Sequence, residues 1–276
     1  MKPVIKWVGG KTQLLNEIKK IITPELLEGH MYYEPFCGGA AVAFDLEHSL
    51  TVLNDLNSEL INMYKVIRDN PEALIEVLKI NQKNHSPENY YYIRDLDRHP
   101  EFETMSAIGK AARTIYLNKT CFNGLYRVNS KGYFNSPIGR TTSGKTPDIV
   151  QEELIREMSK FLQNVLISNL SYSQVVAGAK DGDVIFFDPP YDTDEAIKSD
   201  GFVGYQKEGW TRKDLEELKM ICDELSIRGC KVVLTNNDTE FVRELFKDYN
   251  FKEVDVRRSV NRDGNSRKGK ELIIYN

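Results

Sequence analysis

The 276-residue sequence lacks the features that mark several broad classes of protein. No apolar run approaches the roughly 18 residues that a membrane-spanning helix needs, and the N-terminus lacks the long apolar stretch of a signal peptide. The four cysteines show no CxxC spacing and the four histidines no HxxxH spacing. We therefore expect no metal site, no disulfide framework, no membrane partner and a reducing, cytoplasmic location.

An excess of positive charge is also absent, because the formal net charge is −4. The basic residues are nevertheless concentrated in two segments. Residues 127–147 contain four basic residues and no acid, and residues 257–270 contain six basic residues and one acid. Binding to phosphates depends on local patches rather than on total charge. The two segments are therefore either nucleic-acid contacts or solvated loops.

The chain is 41% hydrophobic and 28% charged and shows no internal repeat, as expected for one large soluble domain or one domain with an insertion. Helices are expected at residues 58–69 and 210–227, the stretch 71–118 is mostly helical, and 119–147 is loop-like. Strands are expected at residues 32–34, 51–53, 165–167, 184–187, 231–235, 251–256 and 271–275.

These elements predict an α/β fold with a doubly wound, mostly parallel sheet, in which the last two strands form an antiparallel pair. Strand and helix stop alternating between residue 57 and residue 149. We therefore expect a catalytic domain formed by residues 1–56 and 150–276. Residues 57–149 would form an inserted, mostly helical subdomain that recognises the substrate.

Asp188-Pro189-Pro190-Tyr191 is the most informative segment of the chain. It follows the apolar residues 184–187, so it lies at the end of a buried strand, where open α/β sheets bind ligands. The two prolines supply no N–H group and leave carbonyl oxygens free beside the carboxylate. This arrangement suits an incoming amino group whose ring stacks on Tyr191, and it resembles the signature of amino-group methyltransferases that use S-adenosylmethionine. The alternative is an ordinary turn with a surface tyrosine.

Two further segments are typical of nucleoside binding. Gly38 and Gly39 follow the first strand and would let the backbone approach a ligand closely. Asp55 ends the second strand, where acidic side chains bind ribose hydroxyls, although an acid there is often only a helix cap. Near the N-terminus, Trp7 and Lys11 flank a Gly pair, but the spacing does not match a phosphate-binding loop.

Five motifs in this order, with a basic loop behind them, are similar to those of the Dam-type DNA adenine-N6 methyltransferases (D12 class), which act mostly on GATC. They are residues 6–11 (KWVGGK), 34–39 (EPFCGG), 54–57 (NDLN), 122–127 (FNGLYR) and 188–191 (DPPY). The similarity runs from about residue 4 to residue 275. One departure is Thr141, where some relatives carry an aromatic residue that intercalates into DNA.

The resemblance implies a Rossmann-like methyltransferase fold with a basic β-hairpin, S-adenosylmethionine as cofactor and double-stranded DNA as partner, acting as a monomer. It implies catalysis by Asp188, Pro189, Pro190 and Tyr191. It implies a cofactor pocket lined by Trp7, Lys11, Phe36, Gly38, Asp55, Ser171, Tyr172 and Asp188. It implies DNA contacts from Lys6, Arg94, Phe122, Asn123, Leu125, Arg127, Asn129, Asn135, Arg258 and Arg267.

Within this set Arg127 would read guanine, Lys6 would make a second base contact, and Phe122 and Asn123 would enter the base stack. A target inside a duplex is out of reach, so the adenine would be flipped out. Two alternatives stay open from the residues alone. The same chemistry would serve cytosine N4 in DNA or a base in RNA, and a chain with an inactive pocket would be only a DNA-binding module.

Overall fold

The computed structural model describes residues 1–139, 147–193, 210–257 and 268–276. In these ranges seven strands form one sheet, with the order β3-β2-β1-β4-β5-β7-β6. The strands are β1 Tyr32–Glu34, β2 Thr51–Asn54, β3 Leu166–Ser168, β4 Val184–Phe187, β5 Lys231–Asn237, β6 Asn250–Arg257 and β7 Lys268–Tyr275. Every predicted strand is present, with ends displaced by at most three residues.

The first five strands are parallel, and β7 joins the sheet antiparallel to both β5 and β6. All four residues of β4 are buried, as expected for a central parallel strand that is covered on both faces. The predicted mostly parallel sheet with a terminal antiparallel pair is confirmed.

Twelve α-helices are found in the described residues. They are α1 Leu15–Ile18, α2 Pro24–Leu27, α3 Ala41–Leu46, α4 Ser58–Asp69, α5 Pro71–Lys83, α6 Pro87–Asp95, α7 Glu101–Thr104, α8 Ala107–Thr120, α9 Glu152–Leu162, α10 Tyr172–Val176, α11 Arg212–Ile227 and α12 Glu240–Leu245. Short 3₁₀ turns lie at Lys11–Gln13, Leu96–Arg98 and Phe122–Gly124.

Polar caps fix where the long helices begin. The Asn57 side chain accepts a hydrogen bond from a backbone N–H of α4, and Ser106 does the same for α8. Thr211 and Asp214 form a reciprocal capping box at the start of α11. The helix expected from residue 210 therefore begins two residues later, because Thr211 is its cap.

Successive residues of the strands lie on opposite faces of the sheet and belong to two separate hydrophobic clusters. On one face Tyr32 and Phe186 pack with side chains of α3, α4, α5, α8 and α9. On the other face Tyr33 and Phe187 pack with side chains of α10, α11 and α12. Helices on both faces make the sheet doubly wound. The core of α4, α5 and α8 is continuous with that of the sheet, and the division of the chain at residues 57–149 stays a prediction.

Residues 121–138 fold back on themselves as an antiparallel loop that is held by two isolated bridges, Cys121 with Ile138 and Val128 with Phe134. Asn123, Gly124 and Gly132 have positive φ angles, which interrupt regular strand geometry. The expected hairpin thus exists as a compact loop rather than as two continuous strands.

Candidate active site

The carboxyl ends of β1, β2 and β4 meet at one edge of the sheet. The strands β2 and β3 lie on one side of β1, whereas β4 and β5 lie on its other side. The strand order therefore reverses between β1 and β4. Such a switch point leaves a crevice outside the strand ends. The turn at residues 35–40, Asp55 and Asp188 all open into this region.

Asp188 accepts one hydrogen bond or ion pair on each carboxylate oxygen. Its Oδ1 accepts from Thr235 Oγ1 at 2.7 Å, and its Oδ2 lies 2.7 Å from Lys11 Nζ. Burial raises the pKa of the Asp188 carboxyl, and the charge of Lys11 opposes that rise. The carbonyl oxygens of Pro189 and Pro190 receive no hydrogen bond from the described residues. Among the parts of the chain that the structure describes, these carbonyl oxygens thus have no donor, whereas the carboxylate is already paired.

Lys11 is a buried cation at the centre of this edge. Besides Asp188, its ammonium donates to the Gly9 carbonyl and lies 4.8 Å from the centroid of the Tyr191 ring. A cation over an aromatic face is attracted by the ring electrons. The ammonium therefore pairs with one carboxylate oxygen of Asp188 and lies over the ring that the sequence predicted to stack on a substrate.

Tyr191 is held at its outer end by the neighbouring antiparallel strand. Its hydroxyl donates to Glu271 Oε2 at 3.0 Å, and burial together with the charges of Asp188 and Glu271 raises the pKa of Tyr191 well above 10. The next residue, Asp192, is buried and receives hydrogen bonds from Arg212 at 2.9 and 3.2 Å and from Thr239 at 2.8 Å. These contacts fix the tyrosine at its hydroxyl and the chain at the residue that follows it.

Glu34 is a second buried carboxyl beside Lys11 and Asp188. It ends β1, and its Oε2 accepts from the backbone N–H of Ala43 at 3.0 Å and from the Tyr32 hydroxyl at 3.3 Å. Burial raises the pKa of Glu34 to about 8, and the charge of Asp188 adds to the rise. A small cavity opens at this point. It is lined by Trp7, Gly9, Gly10, Lys11, Glu34, Cys37, Gly38, Gly39, Ala41, Val42 and Asp188.

The turn after β1 requires glycine at position 38. Gly38 has a φ of +46°, and a Cβ there would lie 2.7 Å from Cδ1 of Trp7. Its N–H donates to Asp55 Oδ2 at 3.0 Å, while Asp55 Oδ1 accepts from the Asn57 N–H at 2.9 Å. Burial raises the pKa of Asp55. Each carboxylate oxygen keeps further acceptor capacity for a hydroxyl group.

An aromatic cluster borders the same edge. The ring of Phe36 stacks on Tyr172 with centroids 5.2 Å apart and meets Trp210 edge-on at 5.6 Å. Ser171, which was also expected in the pocket, caps α10 through a reciprocal capping box with Gln174. Trp210 was not among the predicted site residues.

Comparison with known proteins identifies the family of the chain. A model of the D12 class of N6 adenine-specific DNA methyltransferases matches residues 7–260. The type II methyltransferase M1.LlaDCHI of Lactococcus lactis subsp. cremoris is 40% identical over 100% of this chain and 95% of its own length. M.MjaIII of Methanocaldococcus jannaschii is 36% identical over 100% and 99% of the two chains. The DNA adenine methylase of Escherichia coli K12 is 32% identical over 98% and 93%.

The chain belongs to the D12 class of N6 adenine-specific DNA methyltransferases. The suspected family is thereby confirmed, and the chain is an adenine-specific enzyme. The alternatives of a cytosine-N4 or RNA methyltransferase and of an inactive binding module find no support. Among the described residues no group of side chains suited to a metal ion is found, nor is any helix long and apolar enough to cross a membrane.

In this D12-class enzyme six of the ten residues expected to contact DNA lie on the loop at 121–138, whereas Lys6 lies in the N-terminal segment. Arg127 is exposed, and its guanidinium donates to the Asn135 side chain at 2.7 Å and to the Asn135 carbonyl at 3.3 Å. Phe122 is 49% exposed, as a residue that enters a base stack must be. Asn123 next to it is exposed and has a φ of +55°.

Other expected DNA contacts have structural partners within the chain. Leu125 is buried, and its carbonyl accepts a hydrogen bond from Ser136. Asn129 accepts from the N–H groups of Lys131 and Tyr133 and so shapes the tip of the loop. Arg94, on α6, pairs with Asp95 at 2.7 Å. Arg258 and Arg267, like Thr141, lie outside the described residues.

Besides Trp210, four side chains of the site were missed by the sequence analysis: Glu34, Thr235, Asp192 and Glu271. Thr235 was placed correctly in a strand, yet its contact with Asp188 depends on the register of β5 against β4. Glu271 reaches Tyr191 because β7 pairs with β5 in antiparallel register. Of these four residues only Glu34 could have been found from the sequence, because it is a charged residue at the end of an otherwise apolar strand.

Proposed function

We propose that this D12-class enzyme transfers a methyl group from S-adenosylmethionine to N6 of an adenine flipped out of duplex DNA, within GATC. The observation that carries the proposal is the arrangement of Asp188, free prolyl carbonyls and Tyr191 at the end of β4. Acceptors beside an aromatic face match an amino group on a planar ring. GATC is proposed because residues 122–127 resemble the recognition turn of Dam-type enzymes.

The residues at the strand edge fit the proposed cofactor by their chemistry. Lys11 offers a cation for a carboxylate, and Asp55 offers acceptors for ribose hydroxyls. Phe36 and Tyr172 offer ring faces for a nucleobase. Gly38 and Trp7 line the small cavity beside Lys11 and Asp188. When bound, S-adenosylmethionine supplies the methyl group, and its sulfur keeps the electron pair of the broken bond.

In the proposed mechanism Asp188 and the Pro189 carbonyl accept the two hydrogens of N6. Without these two hydrogen bonds the nitrogen lone pair is delocalised into the purine ring. The bonds bend the amino group out of the ring plane and localise the lone pair for attack. Tyr191 stacks on the ring and holds its orientation. Catalysis then depends on orientation and on the negative field at the nitrogen, where positive charge develops. Asp188 or water takes the proton after the new C–N bond has formed.

Lys11 must give up Asp188 before a base can enter. Its ammonium now pairs with Oδ2 and lies over the Tyr191 ring, where the adenine would sit. A cofactor carboxylate would provide an alternative partner for the ammonium. The proposal therefore includes an order of events in which Lys11 turns toward the cofactor and Asp188 becomes free for N6.

We further propose that the enzyme acts as a monomer in the cytoplasm and that residues 57–149 recognise the target. The exposed Phe122 and Arg127 within this segment support its role on DNA.

Methyl transfer from labelled S-adenosylmethionine tests the proposal. A duplex containing GATC should be labelled at adenine N6, and matched duplexes with one base pair of GATC changed should not. Transfer to other sequences at the same rate would refute the GATC assignment alone. Label on no DNA, or no thermal stabilisation by the cofactor, would refute the proposed activity.

A further inference from the structure

Asn118 is a buried polar residue of α8 that the proposed mechanism does not use. Only 2% of its surface is exposed. Its Oδ1 accepts a hydrogen bond from the Lys6 N–H at 2.8 Å, and its Nδ2 donates to the Lys6 carbonyl at 2.7 Å. The same Nδ2 donates to the Gly124 carbonyl at 3.1 Å. One side chain thus binds two segments that are far apart in sequence.

The three bonds require an amide at this position. Backbone N–H faces Oδ1 and two backbone carbonyls face Nδ2, so the orientation of the amide is fixed by its partners. An aspartate would lose both donated bonds, and an alanine would lose all three and leave the backbone groups without partners in the interior.

The two segments also pack directly against one another. A Cβ on Gly124 would lie 2.8 Å from Cβ of Lys6, and Gly124 has a φ of +68°. One residue beyond Lys6 and two residues beyond Gly124, the rings of Trp7 and Tyr126 lie 5.3 Å apart. Movement of one segment is therefore transmitted to the other by contact as well as by hydrogen bonds.

Each segment continues into one part of the proposed site. The N-terminal segment leads from Lys6 through Trp7, which covers Gly38, to Lys11, which pairs with Asp188. The second segment carries Phe122 and Arg127, the side chains that the proposed function assigns to DNA.

We propose that Asn118 is a positioning residue that couples the cofactor pocket to the DNA-recognition turn. The inference rests on the proposed function of the two segments and adds a thermodynamic link between them. A ligand that orders the N-terminal segment would preset the turn for DNA, and by reciprocity DNA would tighten the cofactor site. Without Asn118 the two sites would bind independently.

The test compares the Kd for a GATC duplex with and without saturating S-adenosylhomocysteine, which carries no methyl group to transfer. In the wild-type enzyme the analogue should lower the Kd at least about fivefold, the lower end of usual coupling. In Asn118→Ala this ratio should fall below about twofold. The control is Asn62→Ala, which removes a bond of 2.9 Å to the Ala107 carbonyl but touches neither segment, and it should keep the wild-type ratio.

Gly124→Ala probes the same junction from the other side and serves if Asn118→Ala does not fold, as judged by circular dichroism. It should also reduce the ratio. A wild-type ratio near one, or a wild-type ratio retained in either folded variant, would overturn the coupling. Methyl transfer by the wild-type enzyme is measured first. If the wild-type enzyme transfers no methyl group, the proposed function is wrong. If it transfers the group but the variants keep the wild-type Kd ratio, only the proposed role of Asn118 is wrong.

Discussion

The edge of the sheet and the recognition loop are held in opposite ways. At the edge, Lys11, Glu34 and Asp188 are mostly or fully buried, and every charged oxygen of Asp188 has a partner from another part of the chain. On the loop, Phe122 is half exposed, and among the described residues the hydrogen bonds of the Arg127 side chain go to Asn135, eight residues away.

The difference matches what each region is proposed to do. Groups that stabilise a developing charge are effective when they are fixed before the reaction. Side chains that read base edges must exchange their internal partners for the bases. Arg127 can release Asn135 at little cost in free energy, because its guanidinium is exposed and hydrogen bonds to water replace those to Asn135. The four predictions below test the rigid edge and the adaptable loop, beginning with the largest effect.

The rigid edge should fail most severely when its central carboxylate is changed. Asp188→Asn keeps the size of the side chain but loses the negative charge that pairs with Lys11 and is proposed to hold N6. We expect kcat to fall by about 10³-fold, the usual loss when a key electrostatic group is removed, while the Kd for DNA changes by less than about threefold. Steady-state methylation and DNA binding measure the two. Asp255→Asn, an exposed change on β6, is the control, and wild-type-like turnover of Asp188→Asn would refute the role.

The loop should lose selectivity rather than affinity. Arg127→Ala would remove the proposed bidentate contact with guanine, and such a contact gives about 1–3 kcal/mol of discrimination, or roughly 5- to 150-fold at one base pair. Binding to unrelated duplexes should stay nearly unchanged. Methylation rates on GATC and on duplexes altered at one base pair measure the effect. Lys131→Ala, an exposed cation on the same loop, should leave the selectivity profile intact, and an intact profile in Arg127→Ala would show that guanine is read elsewhere.

Burial of Glu34 should make stability depend on pH. Its pKa is about 8 in the folded protein and near 4.5 when unfolded, so the folded state holds the extra proton between these values. That contribution is complete below about pH 4.5 and is lost as the pH rises from there through 8, by about 1.4 kcal/mol per pH unit. Glu34→Gln should therefore gain stability relative to the wild type from pH 5 to pH 8. Urea denaturation at several pH values measures it.

The control for this measurement is Glu240→Gln, an exposed carboxylate on α12. The difference in free energy of unfolding between it and the wild type should be independent of pH. A pH-independent difference for Glu34→Gln as well would mean that Glu34 ionises normally in the folded enzyme.

The smallest effect is expected at the outer end of Tyr191. Glu271→Ala removes the acceptor of the tyrosine hydroxyl, a bond of about 1 kcal/mol, and should lower kcat about fivefold by loosening the ring. Glu271→Gln still accepts this bond and should retain most of the activity. Equal losses in both variants would indicate that the charge of Glu271, and not its hydrogen bond, matters.

The architecture was predictable because it follows from local patterns. The run of four apolar residues in β4, the cap at Thr211 and the helical spacing in α4 each leave a signature within a few neighbouring residues. The 121–138 loop was placed correctly, but its isolated bridges depend on positive φ angles at Asn123 and Gly132 that no periodicity reveals.

The candidate site was predictable only where its residues belong to sequence motifs. Asp188, Tyr191 and Asp55 lie at strand ends and were found. Thr235, Glu271 and Asn118 act through partners 47, 80 and 112 residues away, and those partners are set by register and helix packing. The pairing of Lys11 with Asp188 was also hidden, because the sequence places both near the cofactor without showing that they touch.

The neighbour of β1 in the centre of the sheet is β4, which comes about 150 residues later in the chain. Strands separated by so long a loop pair slowly during folding, because the entropy of closing the loop is lost before the contacts form. The crevice that joins Glu34 to Asp188 does not exist until that closure is complete. Newly made molecules should therefore pass through a stage in which many helices are in place but no ligand can yet bind. A nucleotide analogue could accordingly be used to time the last step of assembly.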